Sequence, residues 1–504
     1  MARTRREVRA LGGIWNETIL WYAKAVRELQ SRPVTKKASW RYLAAMHDFD
    51  LAAWIRLGYL TATSTLPGRP EQDRYWKQCQ HQSWYFFPWH RAYLHTFEDI
   101  VLDALKSLGG PVDWALPYWN YSDTKNQEAT NIPDAFLAQT LPDGSANPLH
   151  VAARFGTSVA PEDVELTDRI ADNDFTGTDR GPSIGVGGPR TIFSPHGQQE
   201  GLVEAAPHDL VHGDVGGRGG LMSNTTTAAL DPIFWLHHAN IDRLWEVWLT
   251  RDPQNKNPTD IDWLKGPTKR RGFALFGADE KDRPSNPTDV QTTKALGYVY
   301  DDISDPLNGA TRRSLRLEAL LPRLQNREFA ATLEVHDMEK RPTAELLGSN
   351  DKEIALGPKP VTSRIQLASR PLTTLSKSFN SSLMRADTPG EPDRVFLHLE
   401  NIRGKDGSGI FDVVLHKPDA PAGTAGIRAG SISLFGVEQA SQPDGDHAGN
   451  GLNKTLEITN AVDAMKLDRS QEGILDVEII PRSDVRDEDD IKVGQISVHR
   501  QSGQ

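Results

Sequence analysis

The chain has 504 residues, 38% of them hydrophobic and 25% charged, with a formal net charge of −11. Its length suggests about two to three domains of ordinary globular composition. The negative balance, with no local lysine/arginine cluster, argues against a nucleic-acid or anionic-membrane surface. No apolar run reaches the roughly eighteen residues of a membrane span. The one cysteine, Cys79, rules out an internal disulfide framework and makes a cytoplasmic setting the default. The start, MARTRREVRALGGIW, pairs Arg5 with Arg6 but lacks the apolar region of a signal peptide.

In chain order, residues 14–29 read as an amphipathic helix and 39–60 as another, with apolar residues recurring at three and four. PWHRAYLHTFEDIVLDALKSLGG, from Pro88, predicts a helix opened by proline and stopped by Gly109-Gly110. DPIFWLHHANIDRLWEVWLTR (231–251) predicts a fourth, with Asp231 as N-cap and Pro232 in the first position. Long Pro/Gly-rich connections lie between them, including 175–197, a length more typical of a functional or packed loop than of a linker.

The character changes after about residue 300, and no tryptophan follows Trp263. Alternating apolar runs at 394–402, 409–416, 431–437, 473–481 and 494–499 predict strands of an antiparallel sandwich. The polar, proline-punctuated stretch 348–378 reads as a connecting segment. These readings divide the chain into 1–310, a linker and start of the C-terminal region over 311–390, and 391–504.

A lone histidine is usually structural, but here histidines cluster with aromatic and acidic residues. His208 and His212, in EAAPHDLVHGDVGG, stand four apart, so on a helix both rings leave one face. Asp209 occupies the place where a zinc protease of the HExxH type needs glutamate, which disfavours that chemistry. His237 and His238 are adjacent and cannot point the same way, so one of them is the better ligand. Asp242, one turn on, could orient an imidazole. His81 and His90 flank Phe86, Phe87 and Trp89, whereas His95 lies about 140° further around a helix. If a third N-terminal ligand is needed, His47 remains by elimination. Two sets of three neutral imidazoles offer nitrogen alone, which suits copper better than magnesium or calcium and leaves room for a bridging small molecule such as dioxygen.

HQSWYFFPWHRAYLHTFE and MSNTTTAALDPIFWLHHANIDRLWEVW resemble the two copper-binding signatures of the tyrosinase family, which includes polyphenol oxidases, catechol oxidases and molluscan hemocyanins. LPYWNYSD (116–123) and LGYVYD (296–301) extend the similarity, and 391–504 resembles the C-terminal β-domain of plant-type members and hemocyanins. The resemblance implies an α + β multidomain protein: a mainly helical catalytic domain with a four-helix-bundle dicopper core, then an antiparallel β-sandwich that shields the copper site in latent members. It places the first copper on His47, His81 and His90, and the second on His208, His212 and His238, with His237 outside the ligand set.

The implied activity is oxidation of o-diphenols to o-quinones with dioxygen and ortho-hydroxylation of monophenols; the alternatives are a catechol oxidase lacking the second activity and a hemocyanin-like oxygen carrier. In the family a glutamate and the residue after the first histidine of the second copper set hold a water linked to loss of the phenol proton. Here these are Glu204 and Asp209, and Asp209 departs from the asparagine of many efficient monophenolases. Gly213 would leave the entrance open to bulkier phenols, and Phe234 would wall the substrate ring or pack in the core. Cys79, two residues before His81, matches the spacing at which family members form a cysteine–histidine thioether.

Overall fold

In the computed structural model, which describes residues 2–177, 182–191, 199–266, 272–311, 315, 344–368, 393–418, 425–444, 448–465 and 473–502, the first long helix opens at Asn16. The Asn16 side chain accepts from the Ile19 amide at 3.0 Å, and α1 runs Glu17–Ser31. Ser39 caps α2 (Trp40–His47) in the same way, accepting from the Tyr42 amide at 3.2 Å. The single helix expected over 39–60 is interrupted here. The Asp48 carboxylate accepts from the Phe49 amide, and Asp50 accepts from the Ala53 amide, each at 2.7 Å; Asp50 thereby caps a separate helix, Leu51–Arg56. Acidic side chains that can bond nearby amides favour caps over helix interiors. The break leaves His47 at a helix end.

α3 spans Phe86–Ser107 with Pro88 in its first turn. A kinked turn at Glu204–His208 leads into α4 (Asp209–Gly216). α5 spans Ile233–Arg251, and Asp231 accepts from the Ile233 amide at 3.0 Å at its start. α3 packs on both α1 and α5, with Phe97 stacked on Trp235 at 3.6 Å between ring centroids. Beside them β1 (Arg3–Arg5) pairs in parallel with β2 (Tyr298–Tyr300).

Residues 1–166, 190–197 and 206–306 make up this helical unit; 167–189, 198–205 and 307–504 make up a second. The second unit is built on strands β3 (Ala344–Ser349), β4 (Ile354–Leu356), β5 (Val361–Gln366), β6 (Arg394–Ile402), β7 (Ile410–His416), β8 (Ile427–Ser433), β9 (Leu452–Glu457), β10 (Ile474–Pro481), β11 (Ile491–Val493) and β12 (Gln495–Gln501). Two four-stranded antiparallel sheets, ordered β5-β10-β7-β8 and β3-β12-β6-β9, enclose an aliphatic core. Along β6, Val395, Leu397 and Leu399 enter that core, and along β10 Leu475, Val477 and Ile479 do the same. Each such burial contributes about 1.5–3 kcal/mol before the entropy of ordering.

Two sequence expectations shift. Alternation predicts a strand over 431–437, but β8 ends at Ser433, and Gly436 turns left-handed (φ 86°) into a helical turn at Val437–Ala440. The stretch 348–378, read as connecting, forms β4 and β5; β5 alternates exposed Thr362, Arg364 and Gln366 with buried Ser363 and Ile365, an edge-strand pattern that a polar composition conceals. Residues 369–378 of that stretch, and 312–314 and 316–343 of the region before it, lie outside the described residues. Among the described residues no helix is long and apolar enough to cross a membrane.

Candidate metal centre

α2 ends with carbonyls that no further helical turn satisfies. The segment Lys77–Cys79 supplies the missing donors: Lys77, Gln78 and Cys79 amides donate to Ala45, Met46 and His47 carbonyls at 3.0, 2.9 and 3.3 Å. This seam lays Cys79 beside His47. α3 then brings in His90 from its first turns. His47, Cys79, His81 and His90 are all buried, and their potential ligand atoms lie within 4.8 Å of one another. The Cys79 Sγ is 3.4 Å from Nε2 of His81 and 3.2 Å from Nε2 of His90.

The second cluster is His208, His212, His237 and His238, buried and equally close. His208 stands at the N-terminus of α4, His212 one turn in, and His237 and His238 on α5. The two clusters adjoin: His90 stacks on His238 at 4.4 Å between ring centroids, and His81 meets His208 edge-on at 5.5 Å. Phe234 fills the space beside them, with ring centroids 4.2 Å from His238 and 5.0 Å from His47. Phe86 does so from the other side, 4.7 Å from His90 and 4.8 Å from His208.

The donor set fits two copper ions. Nδ1 of His47, His90 and His212 lies 3.0, 2.8 and 2.8 Å from the carbonyls of Thr225, Phe86 and Met222. A carbonyl can only accept, so Nδ1 carries the proton and Nε2 keeps a lone pair for a metal. Nδ1 of His208 is likewise 2.8 Å from the Asp209 carboxylate. Both ring nitrogens of His238 are buried without a hydrogen-bond partner, a costly arrangement that a metal ligand would relieve. Burial, reinforced by neighbouring imidazoles, holds His90, His212, His237 and His238 well below the ordinary histidine range. They stay neutral, the form that binds metal.

Comparison with known proteins agrees. The family model for the common central domain of tyrosinase matches residues 37–183 and 188–251, and a domain of unknown function matches 343–501. A tyrosinase of Hahella sp. (strain CCB-MM4) is 32% identical over 99% of both chains. The chain belongs to the tyrosinase family. A chloroplastic polyphenol oxidase A1 of Vicia faba is 28% identical over 65% of this chain, which spans 52% of that protein's length. Latent apple tyrosinase shares the fold across 100% of this chain and 98% of its own, at 20% identity and a TM-score of 0.57. A functional unit of octopus hemocyanin shares it at 17% identity over 99% of both chains, with a TM-score of 0.50. As a tyrosinase-family member the chain is a copper-dependent phenol oxidoreductase, and its two histidine clusters bind two copper ions.

In this tyrosinase-family centre Asp242 has a different place from the one expected. Its position one turn after His238 suggests that it orients an imidazole, but its carboxylate faces Arg5 at 3.3 Å, Tyr298 at 2.6 Å and Tyr300 at 2.5 Å, and pairs closely with Arg91. At one turn past His238 on α5, its side chain projects toward β1 and β2 instead of back along the helix. Burial opposes its charge, yet Arg91 and Arg5 outweigh that and hold the carboxyl below its ordinary value. Asp242 therefore belongs to a buried ionic network that also takes in Glu98, paired with Arg5.

Asp209 is buried and engages its own neighbour, His208. Glu204 is buried in the turn that precedes His208, and Gly213 lies buried within α4. His237 points its Nδ1 to the Tyr121 hydroxyl, 3.2 Å away. Motif and spacing give no role to Phe86 or Arg5, nor to the carbonyls of Thr225 and Met222. The last two sit in the MSNTTT run (222–227), whose side chains give no sign that its backbone is what matters.

Proposed function

We propose that the dicopper centre oxidises o-diphenols to o-quinones with dioxygen and also ortho-hydroxylates monophenols. The observation that carries this reading is the pair of adjoining, buried histidine clusters, in which carbonyls take the Nδ1 protons of His47, His90 and His212. His47, His81 and His90 would hold one ion and His208, His212 and His238 the other, with His237 kept aside by Tyr121. Bound copper supplies dioxygen activation and electron transfer; the chain supplies geometry, exclusion of water and proton handling.

Asp209 accepts from Nδ1 of His208 and so orients that imidazole, as metal-bound histidines commonly require. Glu204 is then the carboxylate left to hold the water or accept the proton that a monophenol must lose. Phe234 separates and braces the ligand rings, and Gly213 adds no side chain where a bulkier phenol would enter. The Cys-x-His spacing, with Cys79 Sγ 3.4 Å from Nε2 of His81, supports a thioether between them: a C–S bond forms, the thiol and ring hydrogens leave as two protons and two electrons, and dioxygen takes these up to give hydrogen peroxide. The similarity to latent plant enzymes supports low activity of the intact chain until its C-terminal unit is displaced. The lone cysteine, with no disulfide to maintain, supports a cytoplasmic setting.

Oxygen uptake tests the reading. Uptake with catechol and with tyrosine or tyramine is expected; uptake with catechol alone would reduce the protein to a catechol oxidase. Uptake with neither, together with reversible oxygen binding, would make it a carrier. The thioether predicts a Cys79–His81 peptide lighter by two hydrogens and a thiol that stays unreactive after denaturation.

A further inference from the structure

The residues just ahead of the second copper cluster belong, by packing, to the sheet unit. Segments 167–189 and 198–205 group with the C-terminal strands, whereas 190–197 groups with the helical unit; after 198–205 the chain re-enters the helical unit at Ala206, two residues before His208. The attachments are specific. Gln199 bridges in parallel to Asn453 of β9, and its Nε2 donates to the Thr455 hydroxyl at 2.6 Å. Next to it Glu200 pairs with Lys454 of β9 at 2.5 Å, with both side chains only 3% exposed. Asp172 pairs with Arg394 of β6 at 3.1 Å, also buried.

Beyond Glu200 the described backbone is held closely against residues 185–188. Leu202 donates to the Gly185 carbonyl at 2.9 Å and Ala205 to Gly201 at 2.8 Å. A methyl group on Gly201 would fall 2.5 Å from the Gly188 amide, so the two strands of this loop touch backbone to backbone. A buried ion pair is seldom a gain in stability over apolar packing, and its attested use is to fix register. Here the register it fixes is that of a segment running without interruption into His208.

We propose that Lys454 and Glu200 are positioning residues for the second copper: the C-terminal sheet holds the segment that delivers His208, and through it sets how firmly that ion is retained. This rests on the dicopper reading above. It gives the C-terminal unit a constructive role at the centre, separate from any shielding.

Copper release to a chelator, followed with the full chain, tests it. Two backgrounds isolate the ions: His90→Ala retains the second copper, and His238→Ala the first. Lys454→Met should speed release about tenfold in the first background, at the low end of the tenfold to hundredfold typical for supporting partners, and leave the second unchanged. Lys454→Arg should restore slow release.

The double variant Glu200→Gln, Lys454→Met removes both charges, so no ion is left buried alone. It should fold like the parent and still release the second copper faster. Equal acceleration of both ions, or wild-type release from the folded double variant, would overturn the proposal. Should Lys454→Met not fold, Thr455→Val, which removes one hydroxyl at the same seam, takes its place with a smaller acceleration; no change would again overturn it. A wild-type chain that binds fewer than two copper ions would instead strike the dicopper reading itself.

Discussion

Around α3 and α5 the interior is aromatic and polar: histidines, a cysteine, arginines and carboxylates lie buried among tryptophans. The sheet unit's core is aliphatic, drawn from alternate residues of two facing sheets, and its buried ion pairs at Arg394 and Lys454 lie along the 167–205 segment. The difference shows where burial serves stability and where it serves chemistry. An aliphatic interior needs only volume and pattern. A polar interior persists only if each group is partnered, and the histidines' outstanding partner is the metal.

The sharpest way to break this contrast is at the ligands. His90→Ala and His238→Ala should each lower bound copper from two ions to one per chain and abolish catechol oxidation, by elemental analysis and oxygen uptake. Either variant keeping both ions would undo the assignment. Asp242→Ala should come next. It leaves fully buried Arg5 and Arg91 with Glu98 and Glu246 as their remaining carboxylates, and should cost about 3 kcal/mol in urea unfolding of the helical unit.

Asp209→Ala should weaken the second copper alone, by about tenfold to a hundredfold in competition with a chelator. An unchanged affinity would mean that His208 needs no help in orientation.

A milder test lies in the sheet unit. His398 is held down to about 4 by burial and then by His499, whose ring is 4.7 Å away. Unfolded, His398 takes its proton near its ordinary 6.5. Its contribution is therefore complete above 6.5, falls as the pH drops below that value, and is lost by about 4. His398→Gln should flatten the pH dependence of sheet-unit unfolding in that window; a slope unchanged there would assign the effect elsewhere. Smallest of all, Arg364→Gln should cost no more than about 1 kcal/mol, because its pairing with Asp476 is solvent-exposed.

Most of the centre was readable because it is local. His81 and His90 share one motif, and His208 and His212 one helical face. The break at Asp48 was not, since apolar spacing continues through it and only side-chain-to-backbone bonds interrupt the helix. Arg5, unremarkable in sequence beside Arg6, has its guanidinium over the Tyr298 ring at 3.7 Å and bonds the Tyr300 hydroxyl at 3.0 Å. Nothing near Arg5 in the chain names partners almost three hundred positions away.

By itself, then, the sequence determined the long helices apart from the break at Asp48, the strands at 394–402, 409–416, 473–481 and 494–499, and the candidate ligands, because periodicity and motif spacing act over a few residues. The tertiary structure alone decided that Asp242 serves a buried ionic network, that Thr225 and Met222 fix imidazole tautomers, and that 198–205 belongs with β9. Each of these depends on which groups meet after distant segments are buried together, and an unpaired polar group would otherwise be too costly to bury.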